Sequence, residues 1–244
     1  MSTITLIFAY YSILSNSTAK YEETRSHFIW ILNWRRHSSS KSYHWSAFLY
    51  IWHPMSKYFE IRWHGRGGQG AVTGAKSLAE CVQGTGQTVV AFPEYGPERR
   101  GAPVRAYNRF SKEHIRIHTP VTTPDVVIVI DASLLTLPMV KDGIMEHTVY
   151  LVNIEKTPDQ VRKILGVENR VITVPANDLS QKLFGRAIPN SAMLGAFAMA
   201  CPNIISLDAL KGEATHVFTE LVGADLVEKN LQAIQQGHDL CHAG

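Results

Sequence analysis

Five consecutive β-branched residues, Val126, Val127, Ile128, Val129 and Ile130, constrain this chain more than any other feature. A strand with one wet face alternates apolar and polar residues, whereas an unbroken run has to be buried on both faces, as in the centre of a parallel sheet covered by helices. The flanking pattern agrees. Residues 58–63 (YFEIRW) alternate as a strand, residues 71–83 repeat apolar positions at helical spacing, and residues 88–92 read as a second strand. Residues 104–110 and 115–117 read as a hairpin, 148–153 and 170–174 as further strands, and 159–165 as a short helix. Asn177 or Asp178 is a candidate cap for a helix ending at Phe184. Residues 191–200 (SAMLGAFAMA) form a small-residue helix suited to close packing, and Ser206 and Asp208 open a last stretch that is helical over 219–236. Such alternation predicts an α/β fold: three layers, α/β/α, around a Rossmann-like, mostly parallel sheet.

The regular pattern begins only near Met55. Before it the chain has no glycine, four of the five tryptophans (Trp30, Trp34, Trp45 and Trp52), and five basic residues against two acidic ones. Without turn punctuation or periodicity, residues 1–54 read as an extension outside the domain, poorly ordered or upstream of a true start at Met55. Aromatics mixed with basic residues also suit a membrane surface or a partner. Residues 55–244 carry the α/β domain.

Bulk properties exclude several classes. The net charge of +3 resides in the first 54 residues, so no basic surface argues for nucleic acid. Cys81, Cys201 and Cys241 lie far apart, without the paired spacing that iron–sulfur or structural zinc ligation requires. No apolar run reaches the roughly 18 residues of a membrane span, and the chain is expected to be cytoplasmic. Neither a Walker loop, a Gly-x-Ser-x-Gly elbow nor a His-Glu-x-x-His helix occurs.

The sharpest chemical signal is Gly65-Arg66-Gly67-Gly68-Gln69-Gly70, placed between a predicted strand and a predicted helix. Glycines permit a tight turn and close approach, and free amides at a helix start suit a phosphate or carboxylate. A nicotinamide dinucleotide would want an acidic residue ending the second strand; here that strand ends at Phe92-Pro93, with Glu94 beyond it. The remaining alternative is a turn needed only for strand–helix packing. The second signal is the loop 92–101 (FPEYGPERRG), too stiff and too long for a mere connection. Arg99 and Arg100 are candidates to clamp a phosphate, oriented by Glu94 or Glu98, or to bridge to an acidic partner. Asn190 or Ser191 is a candidate helix cap, and Asp131, just past the central strand, either faces a ligand or opens a turn. His64 borders the glycine turn, where a lone histidine is more often a packing residue than a catalyst. No catalytic residue and no metal site is assigned.

Taken together, RWHGRGGQGAV from Arg62, AFPEYGPERRGAPVRAYNR from Ala91, PDVVIVID from Pro124, IPNSAMLGAFA from Ile188 and NLQAIQQG from Asn230 resemble the gamma subunit of pyruvate and related 2-oxoacid:ferredoxin oxidoreductases. The resemblance is collinear from Met55 to about Leu240 and leaves out the first 54 residues. It implies an enzyme that oxidatively decarboxylates pyruvate with coenzyme A, giving acetyl-CoA, CO2 and reduced ferredoxin or flavodoxin. It further implies thiamine diphosphate and iron–sulfur clusters on partner subunits, with alpha, beta and delta chains completing the complex. The glycine turn and the arginine loop are then the candidates for contacting coenzyme A phosphates. A stand-alone nicotinamide-binding oxidoreductase and a purely architectural subunit are the alternatives.

Overall fold

The computed structural model describes residues 28–32, 47–51, 57–94 and 101–244. The chain divides into two compact units, Met1–Ser56 and Lys57–Gly244. In the first, strands β1 (Phe28–Leu32) and β2 (Ala47–Ile51) pair antiparallel, which the aperiodic sequence did not foretell.

The second unit is built on a seven-stranded sheet. Its elements in chain order are β3 (Phe59–Arg66), α1 (Ala71–Gly84), β4 (Thr88–Glu94), β5 (Pro103–Ser111), β6 (Val126–Val129), β7 (Val149–Asn153), α2 (Pro158–Leu165), β8 (Val171–Val174), α3 (Ala176–Phe184), α4 (Asn190–Ala200), α5 (Leu207–Val222), α6 (Ala224–Asp239) and β9 (His242–Ala243). The strand order is β4-β5-β3-β6-β7-β8-β9. Strands β3, β6, β7 and β8 are mutually parallel; β5 runs against both β3 and β4, and β9 runs against β8.

The β-branched run lies where expected. Val126 and Ile128 enter one apolar core, and Val127 and Val129 enter another on the opposite face. The first core is the larger: α1, α3, α4, α5 and α6 all contribute to it, whereas α2 and two 3₁₀ turns (Ala132–Thr136 and Pro138–Val140) supply the second. Helix α4 is buried almost all round, and its backbone approaches α6 closely. A methyl group on Gly195 would sit 1.8 Å from the Ile234 carbonyl oxygen, and one on Gly237 would sit 2.0 Å from that of Ala192. Only glycine fits at such a crossing.

Four local expectations change. Residues 115–117 are not a strand; β5 pairs with β4 and β3 instead, and the Ile117 carbonyl accepts from Arg109 Nη1 (2.8 Å). Neither Asn177 nor Asp178 caps α3, which begins after Pro175; the Asn177 N–H donates to Oδ1 of Asn153 (3.1 Å), a distant residue. Helix α4 follows Pro189, so Asn190 and Ser191 lie within its first turn, and the Ser191 hydroxyl donates to Asn230 Oδ1 (2.6 Å). The final helical stretch is two helices, broken where Gly223 adopts φ 80° and ψ 160°. Ser206 does cap α5, accepting from the Ala209 N–H (3.2 Å).

Candidate functional site: the carboxyl edge at the glycine turn

Strand β3 ends at Arg66, and the chain turns through Gly67, Gly68, Gln69 and Gly70 into α1. Gly65 is buried against Ala71 and Ile130, while Gly68 and Gln69 are exposed. The Gly67 N–H donates to the Ala102 carbonyl (3.0 Å), and the Gln69 N–H donates to the Arg66 carbonyl (3.0 Å). The Gly68 and Gly70 N–H groups donate to no described residue. Gly70, the N-cap of α1, has φ 86° and receives no capping side chain. The helix therefore starts with its orphan amides and partial positive charge uncapped. The Asn190 carboxamide packs against Gly70 so closely that a methyl group there would lie 2.5 Å from its nitrogen and oxygen. Asn190 Oδ1 is buried without a partner.

Asp131 braces the turn from the end of β6. Its Oδ1 accepts from the Ser133 N–H (2.8 Å) and its Oδ2 from Gln69 Nε2 (2.7 Å), and Arg66 Nε stands 3.2 Å from the same oxygen. Burial raises the Asp131 pKa, but bonds from Ser133 and Gln69, with the charge of Arg66, hold it below its ordinary value. Arg66 also donates to Ser133 Oγ (2.9 Å) and to the Gly101 carbonyl (3.0 Å). Its guanidinium is thus engaged within the fold.

The proline-rich loop leaves and rejoins the sheet at this edge. Glu94 is not beyond the second strand as expected but ends β4, held in the sheet opposite Arg105; Gly101 and Ala102 lie against Arg66 and Gly67, and Arg99 and Arg100 lie outside the described residues. Glu94 accepts from Arg105 Nη2 at 2.5 Å and from the Tyr107 hydroxyl. Burial, then the bond to Glu94, raises the Tyr107 pKa. Glu94 is therefore committed to two neighbours on β5. Strand β5 lies between β3 and β4, so the strand that follows α1 is not adjacent to β3 as a dinucleotide fold requires.

Beneath the turn, β3 sends Arg62 and His64 to the face opposite the larger core. Arg62 Nε donates to His64 Nε2 (3.0 Å), and Arg62 Nη2 donates to the carbonyls of Asp142 (2.6 Å) and Val140 (3.4 Å). Burial, reinforced by the positive charges of Arg62 and Arg105, lowers the His64 pKa to about 3. His64 is a neutral buried residue rather than an acid–base catalyst. Asn190, read from the sequence only as a candidate helix cap and as part of the Ile188 motif, is the member of the site that local reasoning did not place there; its meeting with Gly70 spans 120 residues of chain. Among the described residues no group of three or more His, Cys, Asp or Glu could hold a metal, and no helix is long and apolar enough to cross a membrane.

A mostly parallel α/β sheet with a glycine turn opening a helix at its carboxyl edge defines a domain class in which ligands gather at that edge. Residues 60–240 match the family described as pyruvate ferredoxin/flavodoxin oxidoreductase, and the chain belongs to that family. It is 42% identical over 183 residues to pyruvate synthase subunit PorC of Thermotoga maritima, covering 75% of this chain and 94% of that protein. It is 38% identical over 181 residues to the pyruvate/ketoisovalerate oxidoreductases common subunit gamma of Pyrococcus furiosus, covering 74% and 95%. A crystal structure of the Thermotoga maritima pyruvate oxidoreductase subunit superposes with a TM-score of 0.67 at 38% identity, over 77% of this chain and 99% of that one.

Proposed function

We propose that this chain is the gamma subunit of a 2-oxoacid:ferredoxin oxidoreductase acting on pyruvate, and that its carboxyl edge contacts the phosphates of coenzyme A. The family and its pyruvate synthase relatives support the subunit role. Thiamine diphosphate and iron–sulfur clusters belong to the partner subunits, where the thiamine supplies carbanion chemistry and the clusters pass electrons to ferredoxin or flavodoxin. Alpha, beta and delta chains complete the assembly, which works in the cytoplasm. Residues 55–244 are the domain that serves it, and residues 1–54 stand outside that role.

The observation that carries the ligand assignment is the convergence of three features at one edge: the unused N–H groups of Gly68 and Gly70, the uncapped start of α1, and both ends of the arginine loop. Backbone donors at a helix start favour negative charge, and a guanidinium pair would add bidentate contacts. Gly65, Gly67, Gln69 and Glu94 shape this edge, Gly65 by lying close to α1 and the others by holding Ala102, Asp131, Arg105 and Tyr107. Arg66, already held by Asp131, Ser133 and Gly101, serves as a brace; that observation favours, for this one residue, the architectural reading of the subunit. The test replaces Arg99 and Arg100 by alanine in the reassembled complex. A lost charge-assisted contact should raise the KM for coenzyme A by roughly tenfold or more with little change in subunit assembly. An unchanged KM rejects the assignment and leaves the architectural role.

A further inference from the structure

Among the described residues, the buried side of β3 presents one donor without a hydrogen-bond partner and one charge without an ion pair. His64 has no exposed surface, and its Nδ1 is buried without a partner. Arginine can only donate, so the bond from Arg62 requires an unprotonated Nε2, which places the proton of this neutral ring on Nδ1. An unmet buried donor of this kind costs about 1–3 kcal/mol.

Arg62 is 2% exposed, and each of its bonds goes to a neutral acceptor: His64 and the carbonyls of Val140 and Asp142. No carboxylate among the described residues lies within ion-pair distance of it. The neighbouring cations differ in this respect: Arg105, directly across from His64, is paired with Glu94, Arg66 with Asp131, and Arg109 with Glu60. Among the described residues Arg62 is therefore the cation of this face without an ion-pair partner, with the charge of Asp142 acting on it only from beyond that distance. Buried charges in proteins are ordinarily paired, since the cost of leaving one alone is several kcal/mol.

We propose that this face of β3 holds a small monovalent anion of the halide type, accepting from the Nδ1–H of His64 in the field of Arg62 and Arg105. A water molecule would answer the donor but leave the guanidinium unbalanced. A larger anion such as phosphate would have to open a face on which His64 is 0% and Arg62 2% exposed. Burial first, and then the positive charges of Arg62 and Arg105, lower the proton affinity of His64 and keep its ring neutral.

Bromide is the probe. The full chain is melted in sodium bromide and in sodium gluconate at equal ionic strength. Binding to the folded state alone should raise Tm by several degrees in bromide, saturating with concentration. His64→Phe, which removes the donor, and Arg62→Met, which removes the charge, should each abolish that difference. Crystals soaked in bromide should show an anomalous peak beside His64 Nδ1. If a variant fails to fold, the diffraction arm on the unaltered chain decides. A bromide effect that persists unchanged in the variants, bromide bound at surface arginines only, or a salt-insensitive water at Nδ1 would each overturn the proposal.

Discussion

The two faces of β3 bury different materials. Toward the helices it sends Ile61 and Trp63 into the larger apolar core; toward the other side it sends Arg62 and His64 into a layer shared with Arg105, Tyr107 and Arg109. Even the first face tolerates polarity where it is answered, since the Trp63 indole donates to Asn108 Oδ1 (2.7 Å) and Asn108 Nδ2 donates to the Ala75 carbonyl (2.8 Å). The helical face is governed by shape, because close-packed groups have nowhere to move. The polar face is governed by pairing, because each buried charge or donor needs a partner. One therefore fails by overlap and the other by abandonment.

The helical face should break most severely at the α4–α6 crossing. Gly237→Ala drives a methyl group into the main chain at Ala192, where no side chain can turn aside, and a loss of about 3 kcal/mol or more is expected in urea unfolding. A loss below about 1 kcal/mol would mean that the helices separate readily, and the contrast between the faces would weaken.

On the polar face, Glu60→Gln leaves Arg109 without its carboxylate partner, now at 2.5 Å, while two carbonyls at Ile117 and Thr119 still accept from it. Arg109 is 3% exposed, so the expected cost is about 3 kcal/mol, and Glu60→Gln with Arg109→Met together should recover part of it. Failure of the double variant to recover anything would show that the pair contributes more than mutual neutralisation.

The mildest test uses pH. His64 titrates near 6.5 when unfolded and near 3 when folded, so below 6.5 the unfolded chain takes up a proton that the folded chain refuses. Stability from this group is complete above pH 6.5 and falls as pH drops toward 3, amounting to about 2 kcal/mol by pH 5. Denaturant melts of the chain and of His64→Asn in halide-free buffer should diverge over that range. Parallel pH profiles would show that His64 is solvated and that its face is not closed.

Features carried by short stretches of chain were legible without coordinates. Val126 to Ile130 had to be central because no side of that run tolerates water, and the glycine turn had to join a strand to a helix because its flanks change period there. Ser206 was legible as an opening of the last helical stretch, but its capping of α5 was not. The insertion of β5 between β3 and β4 was not legible. A strand's hydrogen-bonding partners leave no mark on its own alternation, so residues 104–110 paired on paper with the nearest downstream candidate. At the site, residues 67–70 were readable as a turn, but the extension of β3 through Gly65 and Arg66, the employment of Arg66 by Asp131 and that of Glu94 by Arg105 and Tyr107 were not.

By itself the sequence determined the periodicities, the places where only glycine could turn, and a collinear set of motifs that names the family. Those are properties of neighbours along the chain, governed by sterics and by the division of apolar from polar surface. Only the tertiary structure decided which charges meet, that Asn190 abuts Gly70, and that Arg62 is buried with no described carboxylate within ion-pair distance. Such pairings depend on distances of a few ångströms between residues far apart in the chain, and those distances exist only after the sheet and its helices have packed.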